Sequence, residues 1–475
     1  MPDLTDLEWL ARLDRKLTEQ QNATKRFSDY YNGDHSLSFA TVKFQQTFGD
    51  LFAKFSDNWC RTVVDAPVER LAIDGFRMPN KADTKKAWKI WQDNRLDAQS
   101  ILAHTEAVKT GRAYIIVEPG PNPRITVEHP SQVVVEHAAG DRRQRVAALK
   151  KWRGEDGYTY ATLYLPDRIV KFRSGIGVSS KLESGLIALN FPAIIGGWEE
   201  RPDDPGGDNP FDVVPVIPLY NSPTMLEEGQ SDLLPAIPLN DAINKELMDM
   251  LVASEYAAFR QRILSGIQVP TIPRGQTASS AEGGGEEEEE GGGGEEETAD
   301  QEQIPDPAFE VHMAVSRLIA LEDKDVKVHE FAASDLGNYE KAVTLLLQHL
   351  AAQTRTPPHY LLGSIVNASG DALKAAETGL VAKVKRKQID FADSWEEAIG
   401  LALGKSGAGI EVHWRDPEYR SEGELVDAAA KLKDVGVPLP AIWERIGASS
   451  EQIEQWQKEQ PTVPPAPADT GAPTS

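Results

Sequence analysis

Behind Thr5 and Glu8, which fit a capping box, Leu7, Leu10, Leu13 and Leu17 recur at helical spacing, so the chain opens with an amphipathic helix. Tyr30-Tyr31-Asn32-Gly33-Asp34-His35 follows as turn residues behind two aromatics. Asn58 to Leu71 reads as a second helix with Trp59, Val63, Ala66 and Arg70 on one side, and Pro67 should kink or break it. Ile73 to Phe76 turns the chain, and Lys81 to Asn94 carries Trp88 and Trp91 on one helical face. Asp97 to Thr110 is a further helix, closed by Gly111. From Arg112 the pattern changes to short β-rich runs: Arg112–Glu118, Ile125–Glu128, Val133–His137, Val146–Trp152, Tyr158–Tyr164 and Ile169–Phe172, parted by Pro, Gly and charged turns. Arg201 to Pro210 is a polar Pro/Gly loop. Val213 to Pro218 is too Pro-rich for a central strand and reads as an extended edge.

Long helical periods dominate the second half. Asn240 to Leu264 carries a stripe of Ile243, Leu247, Met250, Leu251 and Ser254. Leu336 to Gln353 carries Tyr339, Val343, Leu346, Leu347 and Leu350 before Thr356-Pro357-Pro358 stops it. A third helix, Asp371 to Leu403, carries Leu373, Leu380, Val384, Phe391, Trp395 and Ile399. Between the first two lies a Gly/Glu tract within Thr271–Asp306, which cannot bury a core, with strand-like pieces after it at Phe309–Val315 and Val326–Phe331. Gly409–Trp414 reads as a strand, and Glu422–Val435 and Pro440–Ile446 as two short helices. The tail from Pro461 is Pro/Ala/Thr-rich and expected to be disordered. No internal repeat is found.

Charge narrows the partners. The 475 residues hold 50 basic and 74 acidic side chains, a balance of −24. Eleven of the acids lie between Gly275 and Ile304, and the rest of the chain stays acidic without them. A tight grip on DNA phosphates needs clustered positive charge, so any DNA is handled loosely or repelled. No run approaches the roughly 18 apolar residues of a membrane span. The acidic start has no apolar stretch, so a secretory signal is not expected. One cysteine, Cys60, excludes an internal disulfide and a multi-Cys zinc site, and its neighbours Trp59 and Val63 suggest a partly buried, inert thiol.

Catalytic motifs fail on spacing. Gly400-Leu-Ala-Leu-Gly404-Lys405-Ser406 resembles a phosphate loop but has three residues between its glycines where four are needed, and it follows a helix. It reads as a helix-end turn. His312, His329, His349 and His359 form no ligand pair at metal spacing, and no Gly-x-Ser-x-Gly elbow exists. The Gly/Glu tract lacks the turn spacing of a calcium loop. No catalytic, cofactor or metal residue is assigned. Lys383, Lys385, Arg386 and Lys387 are the one dense basic cluster of the second half, and at helical spacing they circle the helix. They read first as solvated or intersubunit charge, and alternatively as lysines near a DNA channel.

Several ordered segments together resemble one family, the portal proteins of tailed bacteriophages, in the siphophage group of SPP1 type. They are Tyr30 to His35; Val63-Val64-Asp65 with Arg70-Leu71 and Gly75-Phe76; Pro215 to Asn221 with Gly229-Gln230-Ser231-Asp232-Leu233; Thr356 to Gly363 with Asn367 to Leu373; and Trp414-Arg415-Asp416-Pro417. The resemblance runs from about Leu7 to Gln455.

It implies an α+β portal fold that assembles as a ring: an α/β wing (1–230), stem helices (231–264 and 336–358), a loop-rich clip (265–335) holding the Gly/Glu insertion (about 275–303), a long helix and return strand of the wing (371–421), a small helical crown (422–460) and a disordered tail (461–475). A tunnel loop (359–370) would present Gly363, Ser364, Ile365, Val366, Asn367, Ala368, Ser369 and Gly370. Lys374, Lys383, Lys385, Arg386 and Lys387 are the candidate channel-facing or intersubunit basic residues. The implied role is a dodecameric DNA channel at a unique capsid vertex, assembled in the host bacterial cytoplasm. Implied partners are the terminase large subunit, the head-completion adaptor, the major capsid and scaffold proteins, and double-stranded DNA passing without sequence specificity. No membrane and no cofactor are implied. The alternatives are a nucleotide-dependent enzyme using Gly404-Lys405-Ser406 and another structural head–tail connector.

Overall fold

The computed structural model describes residues 4–35, 56–174, 197–258, 262–265, 271–273, 303–305, 318–321, 328–330, 336–363, 370–405, 409–418, 422–448 and 450–459. Helix α1 spans Asp6–Asn32, longer than its leucine stripe. Thr5 and Glu8 close the expected capping box, and Gly33 ends the helix in the left-handed region at φ 83°. No apolar stripe supports its second half. There the Gln20 and Gln21 side chains donate to the carbonyls of Pro130, Val133 and Ser131. Helix α2 (Trp59–Val68) stops one residue after Pro67. Strand β1 (Ile73–Arg77), α3 (Lys81–Asp93) and α4 (Leu96–Thr110, capped by Gly111 at φ 95°) follow.

The β-rich region is β2 (Arg112–Glu118), β3 (Arg124–Glu128), β4 (Val133–Ala138), β5 (Asp141–Arg153), β6 (Thr159–Tyr164), β7 (Arg168–Ser174), β8 (Trp198–Glu200), β9 (Gly206–Asp208) and β10 (Val216–Tyr220). The short β8 and β9 pair with β7, β9 within the segment 201–210 that reads as a loop and β8 just before it. Six strands run in the order β4-β5-β6-β7-β8 with β9 beside β7, and a second sheet runs β10-β2-β3. Pro-rich β10 is therefore an edge, as its sequence requires.

Period-two alternation shows why these strands are apolar on both sides. Val134, Ala147, Leu149 and Leu163 pack under Trp9, Leu10, Leu13 and Leu17 of α1. Their neighbours Val133, Val135, Ala148 and Tyr164 face Tyr114, Ile116 and Val216 of the second sheet. The alternate residues of that sheet, Ile115, Val117, Ile217 and Leu219, are also buried, and α4 packs against it.

The chain continues through α5 (Ala236–Ala258), β11 (Arg262–Ser265), β12 (Thr271–Pro273), β13 (Gln303–Pro305), β14 (Leu318–Leu321), β15 (Val328–Glu330), α6 (Gly337–Thr354), α7 (Pro358–Leu362), α8 (Gly370–Ala402), β16 (Glu411–Trp414), α9 (Glu422–Asp434), α10 (Leu439–Arg445) and α11 (Ser450–Glu459). The first long helix ends at Ala258, and Arg262 to Leu264, expected as its last residues, fall in the strand Arg262–Ser265. The expected strand at Phe309–Val315 lies outside the described residues. The chain forms two units, one holding the described residues up to 242 and from 346 onward, the other those from 243 to 345. In the second, β11 pairs β14 in parallel and β15 antiparallel, and β12 pairs β13.

Helix α8 packs across β10 and β2, and also against α2 and β16. Its inward stripe is Leu380, Val384, Phe391, Trp395, Ala398 and Ile399, all fully buried. Trp395 donates to His104 Nε2 at 3.0 Å. Burial pushes that imidazole down to about 3, so it is a neutral acceptor.

Candidate functional site

One position of the α8 stripe is not apolar. Lys387 falls between Val384 and Phe391, on the inward face, and is 1% exposed. Its ammonium reaches Asn221 Oδ1 at 2.5 Å and Asp232 Oδ1 at 2.8 Å. One turn earlier, Lys383 lies 2.8 Å from Asp232 Oδ2 and donates to the Thr354 carbonyl at 2.9 Å. Thr354 is the last residue of α6, so that carbonyl has no partner within the helix. Asp232 stands four residues before α5. Three long helices are therefore tied at one buried joint: α8 supplies both cations, the approach to α5 the anion, and the end of α6 a carbonyl.

The anion is fixed before the lysines reach it. Asn221 Nδ2 donates to Asp232 Oδ1 at 2.9 Å and to the Gln230 carbonyl at 2.6 Å. The Asp232 N–H donates to Val108 at 3.0 Å, and Ser231 Oγ donates to the Lys109 carbonyl. Gly111 and Gly229 permit this closeness; a Cβ on Gly229 would sit 2.1 Å from the Gly111 carbonyl oxygen. Burial would raise the Asp232 carboxyl, but the Lys383 and Lys387 ammoniums outweigh it and hold it at about 2. Burial, with Lys383 alongside, lowers Lys387 against the pull of Asp232.

A second cluster fixes the start of the candidate loop. Arg70 Nη2 donates to the Tyr360 hydroxyl at 2.8 Å, Arg70 Nη1 to the Pro417 carbonyl at 3.2 Å, and the guanidinium lies 3.1 Å from Glu377. It ties α7, α8 and the segment after β16 together. Gly363 ends α7 in the left-handed region at φ 61°. Gly370 opens α8, and Ser364, Ile365, Val366, Asn367, Ala368 and Ser369 lie outside the described residues.

The basic candidates separate. Lys387, expected at a channel or subunit surface, is turned into the interior of its own subunit, because it falls on the apolar stripe of α8. Lys383 is also turned inward, at 13% side-chain exposure. Lys374 pairs with Glu424 of α9, and Arg386 with Asp390 at 3.0 Å on its own helix. Lys385 is exposed. Asn221, Asp232 and Arg70 stand in the sequence reading only as parts of the helix pattern and the family-like segments, with no site role, and Glu377 is absent from it. The gap in the stripe between Val384 and Phe391 was the available sign that position 387 lies inside.

The profile of the family described as "Phage portal protein, SPP1 Gp6-like" matches residues 10–463 of this sequence. The chain belongs to that family. A portal protein of Mycobacterium phage L5 is 30% identical, covering 94% of this chain and 90% of its own length. The portal protein of Mycobacterium phage D29 is 29% identical, over 93% and 87%. Among solved structures, a chain of the neck of an empty gene transfer agent particle overlaps 86% of this chain and 93% of its own at TM-score 0.42 and 12% identity. A chain of a native gene transfer agent virion overlaps 82% and 86% at 0.39 and 15%.

Portal proteins are structural, and the motif that argued for an enzyme has a structural place here. Gly404 lies at φ 65°, with its N–H on Leu401 and the Lys405 N–H on Gly400, the paired bonds of a Schellman helix exit. Lys405 reaches Asp83 at 2.6 Å. Among the described residues no cluster of His, Cys, Asp and Glu is arranged to hold a metal ion. Among them too, no helix is long and apolar enough to cross a membrane.

Proposed function

We propose that this chain forms the portal ring of a tailed phage: a DNA channel at one capsid vertex that docks the terminase during packaging, then the head-completion adaptor, and passes DNA out at ejection. The family match across residues 10–463 carries the reading. Its subunit plan is a wing (1–230 and 371–421), stem helices (231–264 and 336–358), a clip (265–335) with the Gly/Glu insertion, a tunnel loop (359–370) and a crown (422–460). Assembly takes place in the host cytoplasm with scaffold and capsid proteins.

The physics of the subunit supports the role. A ring around moving DNA needs helices that keep their relation while the loop between them yields. The buried joint at Asp232, Lys383 and Lys387 holds α8 to the segment before α5 and to the last residue of α6, and Arg70 fixes the base of the loop. A subunit of net charge −24 repels phosphate, which favours sliding over gripping. Energy for translocation comes from the terminase.

Native mass and end-on images of the purified protein test this. Twelve copies of a 52.2 kDa chain form a ring of about 0.63 MDa with a central hole. A protein that stays monomeric even when co-expressed with the phage's scaffold and capsid proteins would overturn it.

A further inference from the structure

The three C-terminal helices, α9, α10 and α11, bury little of their own. Among their described residues only Ile442, at 2%, is a buried hydrophobic side chain. Leu425, Leu432, Trp443 and Ile446 are half-buried, and Val426 is exposed. A module of fewer than about 40 residues seldom closes a core without help. Beside it lies a cavity of about 880 Å³, in the size range of ligand sites. Leu425, Ala441 and Ile446 line it from the helices, and Trp414 and Pro417 line it from β16 and the segment that follows.

The charges around the cavity balance. Four arginines and four acids line it. Of these, Arg415 lies 2.8 Å from Asp74, and Arg70 lies 3.1 Å from Glu377. The cavity therefore selects neither an anion nor a cation, and its indole and aliphatic lining fits an uncharged apolar guest. The chain carries such a guest. Residues 460–475 hold one charge, Asp469, and the run Val463-Pro464-Pro465-Ala466-Pro467-Ala468. A Pro-rich run favours the extended left-handed helix, which loses little entropy on docking and packs on aromatic-lined grooves.

Reach favours the chain's own segment. Helix α11 ends at Glu459. One turn earlier its Trp456 meets Trp443 of α10 edge-on, with ring centroids 5.5 Å apart. Trp443 is two residues from each of the cavity-lining Ala441 and Arg445, so by helical spacing α11 lies across α10 from the cavity. Going round α10 takes about 15 Å, half the girth of a helix roughly 10 Å across. Gln460 to Pro464 cover about 15 Å at about 3.1 Å per extended residue. We propose that the run from Pro464 to Ala468 seats in the cavity of its own chain, against Trp414, Leu425 and Ile446, and completes the core of the three helices. The inference does not depend on ring assembly. A second copy's segment and a Pro-rich segment of another protein are outcomes of the test.

The test uses cysteine pairs in the full chain, whose one native cysteine, Cys60, is fully buried. Ala441→Cys combined with Ala466→Cys, oxidised in dilute protein, should close a disulfide within the chain. It should form about tenfold faster than in the control pair Val426→Cys with Ala466→Cys, whose α9 position is exposed and outside the cavity. A chain ending at Glu459 should exchange the amide protons of residues 411–417 and 441–447 about tenfold faster than the parent. A peptide of residues 460–475 added to it should slow that exchange again, and the same peptide with Pro464→Asp and Pro465→Asp should not. Equal rates from the two cysteine pairs would overturn the inference, because they would mean the segment has no preferred seat. A disulfide between chains in place of one within would overturn it in favour of a second copy. Unchanged exchange in the shortened chain would overturn it too, since the cavity would then be empty or hold another guest.

Discussion

Asp232→Asn isolates the energetics of the joint. The substitution keeps shape and removes charge, leaving Lys387, 1% exposed, beside Lys383 with Asp390, already paired with Arg386, as its remaining nearby carboxylate. Two routes give the cost. Removing one partner of a buried ion pair destabilises by about 3–5 kcal/mol. Alternatively Lys387 sheds its proton to stay inside, and neutralising a lysine of ordinary value near 10.4 at pH 7.5 costs about 4 kcal/mol. These two routes bound the loss from above. The Asp232 carboxyl, held at about 2 against an ordinary 3.8, gives about 2 kcal/mol for losing the same charge. The expectation is therefore about 2–4 kcal/mol, a fall in melting temperature of roughly 4–8 °C for a large unit. The pH signature is specific. In the variant the unfolded chain binds more protons than the folded one between the folded and unfolded lysine values, so stability rises with pH and the deficit shrinks from pH 7.5 toward 10. Asp232→Asn combined with Lys387→Met should recover much of the loss, because the uncompensated charge is gone. Denaturant melts of the parent, both singles and the double at three pH values close the cycle. A single-variant loss below about 1 kcal/mol with no pH dependence would refute the reasoning, because it would mean water reaches Lys387.

Three further expectations follow from the same geometry. The parent should lose roughly 2 kcal/mol in acid through Asp232 alone. Its folded value of about 2 lies below the ordinary 3.8, so the contribution is complete above pH 4 and lost as pH falls through 2, readable in urea melts with Asp232→Asn as reference. Gly229→Ala places a Cβ 2.1 Å from the Gly111 oxygen and should cost about 2 kcal/mol or more by wedging the neck that presents Asp232. Cys60, whose thiol burial pushes up to about 12, should resist alkylation in the folded chain at pH 8 and react once it is unfolded in urea.

Where an element buries a regular apolar face, its sequence announced it. The leucines of α1, the strand β2 and the Gly111 cap of α4 all lie where periodicity and glycine place them. The second half of α1 was hidden because glutamines hold it to backbone carbonyls, an arrangement with no apolar period. The end of α5 was misread because Arg262–Ser265 continues a helical pattern while pairing as a strand. The joint was half legible. The lysine cluster is plain in sequence, but its anion lies 155 positions away, and only burial tells a paired lysine from a solvated one. Arg70 gave no sign of its partners, since Tyr360, Glu377 and Pro417 come together only through tertiary packing.

The central claim is that DNA passes through a ring of this chain. The most direct test is a photo-cross-linking residue in place of Asn367, within the candidate loop, carried in assembled phage particles. Irradiation of filled particles should attach DNA to this chain, and irradiation of empty ones should not. Filled particles that contain the chain yet give no DNA adduct at Asn367 or at any other position from Gly363 to Gly370 would contradict the account.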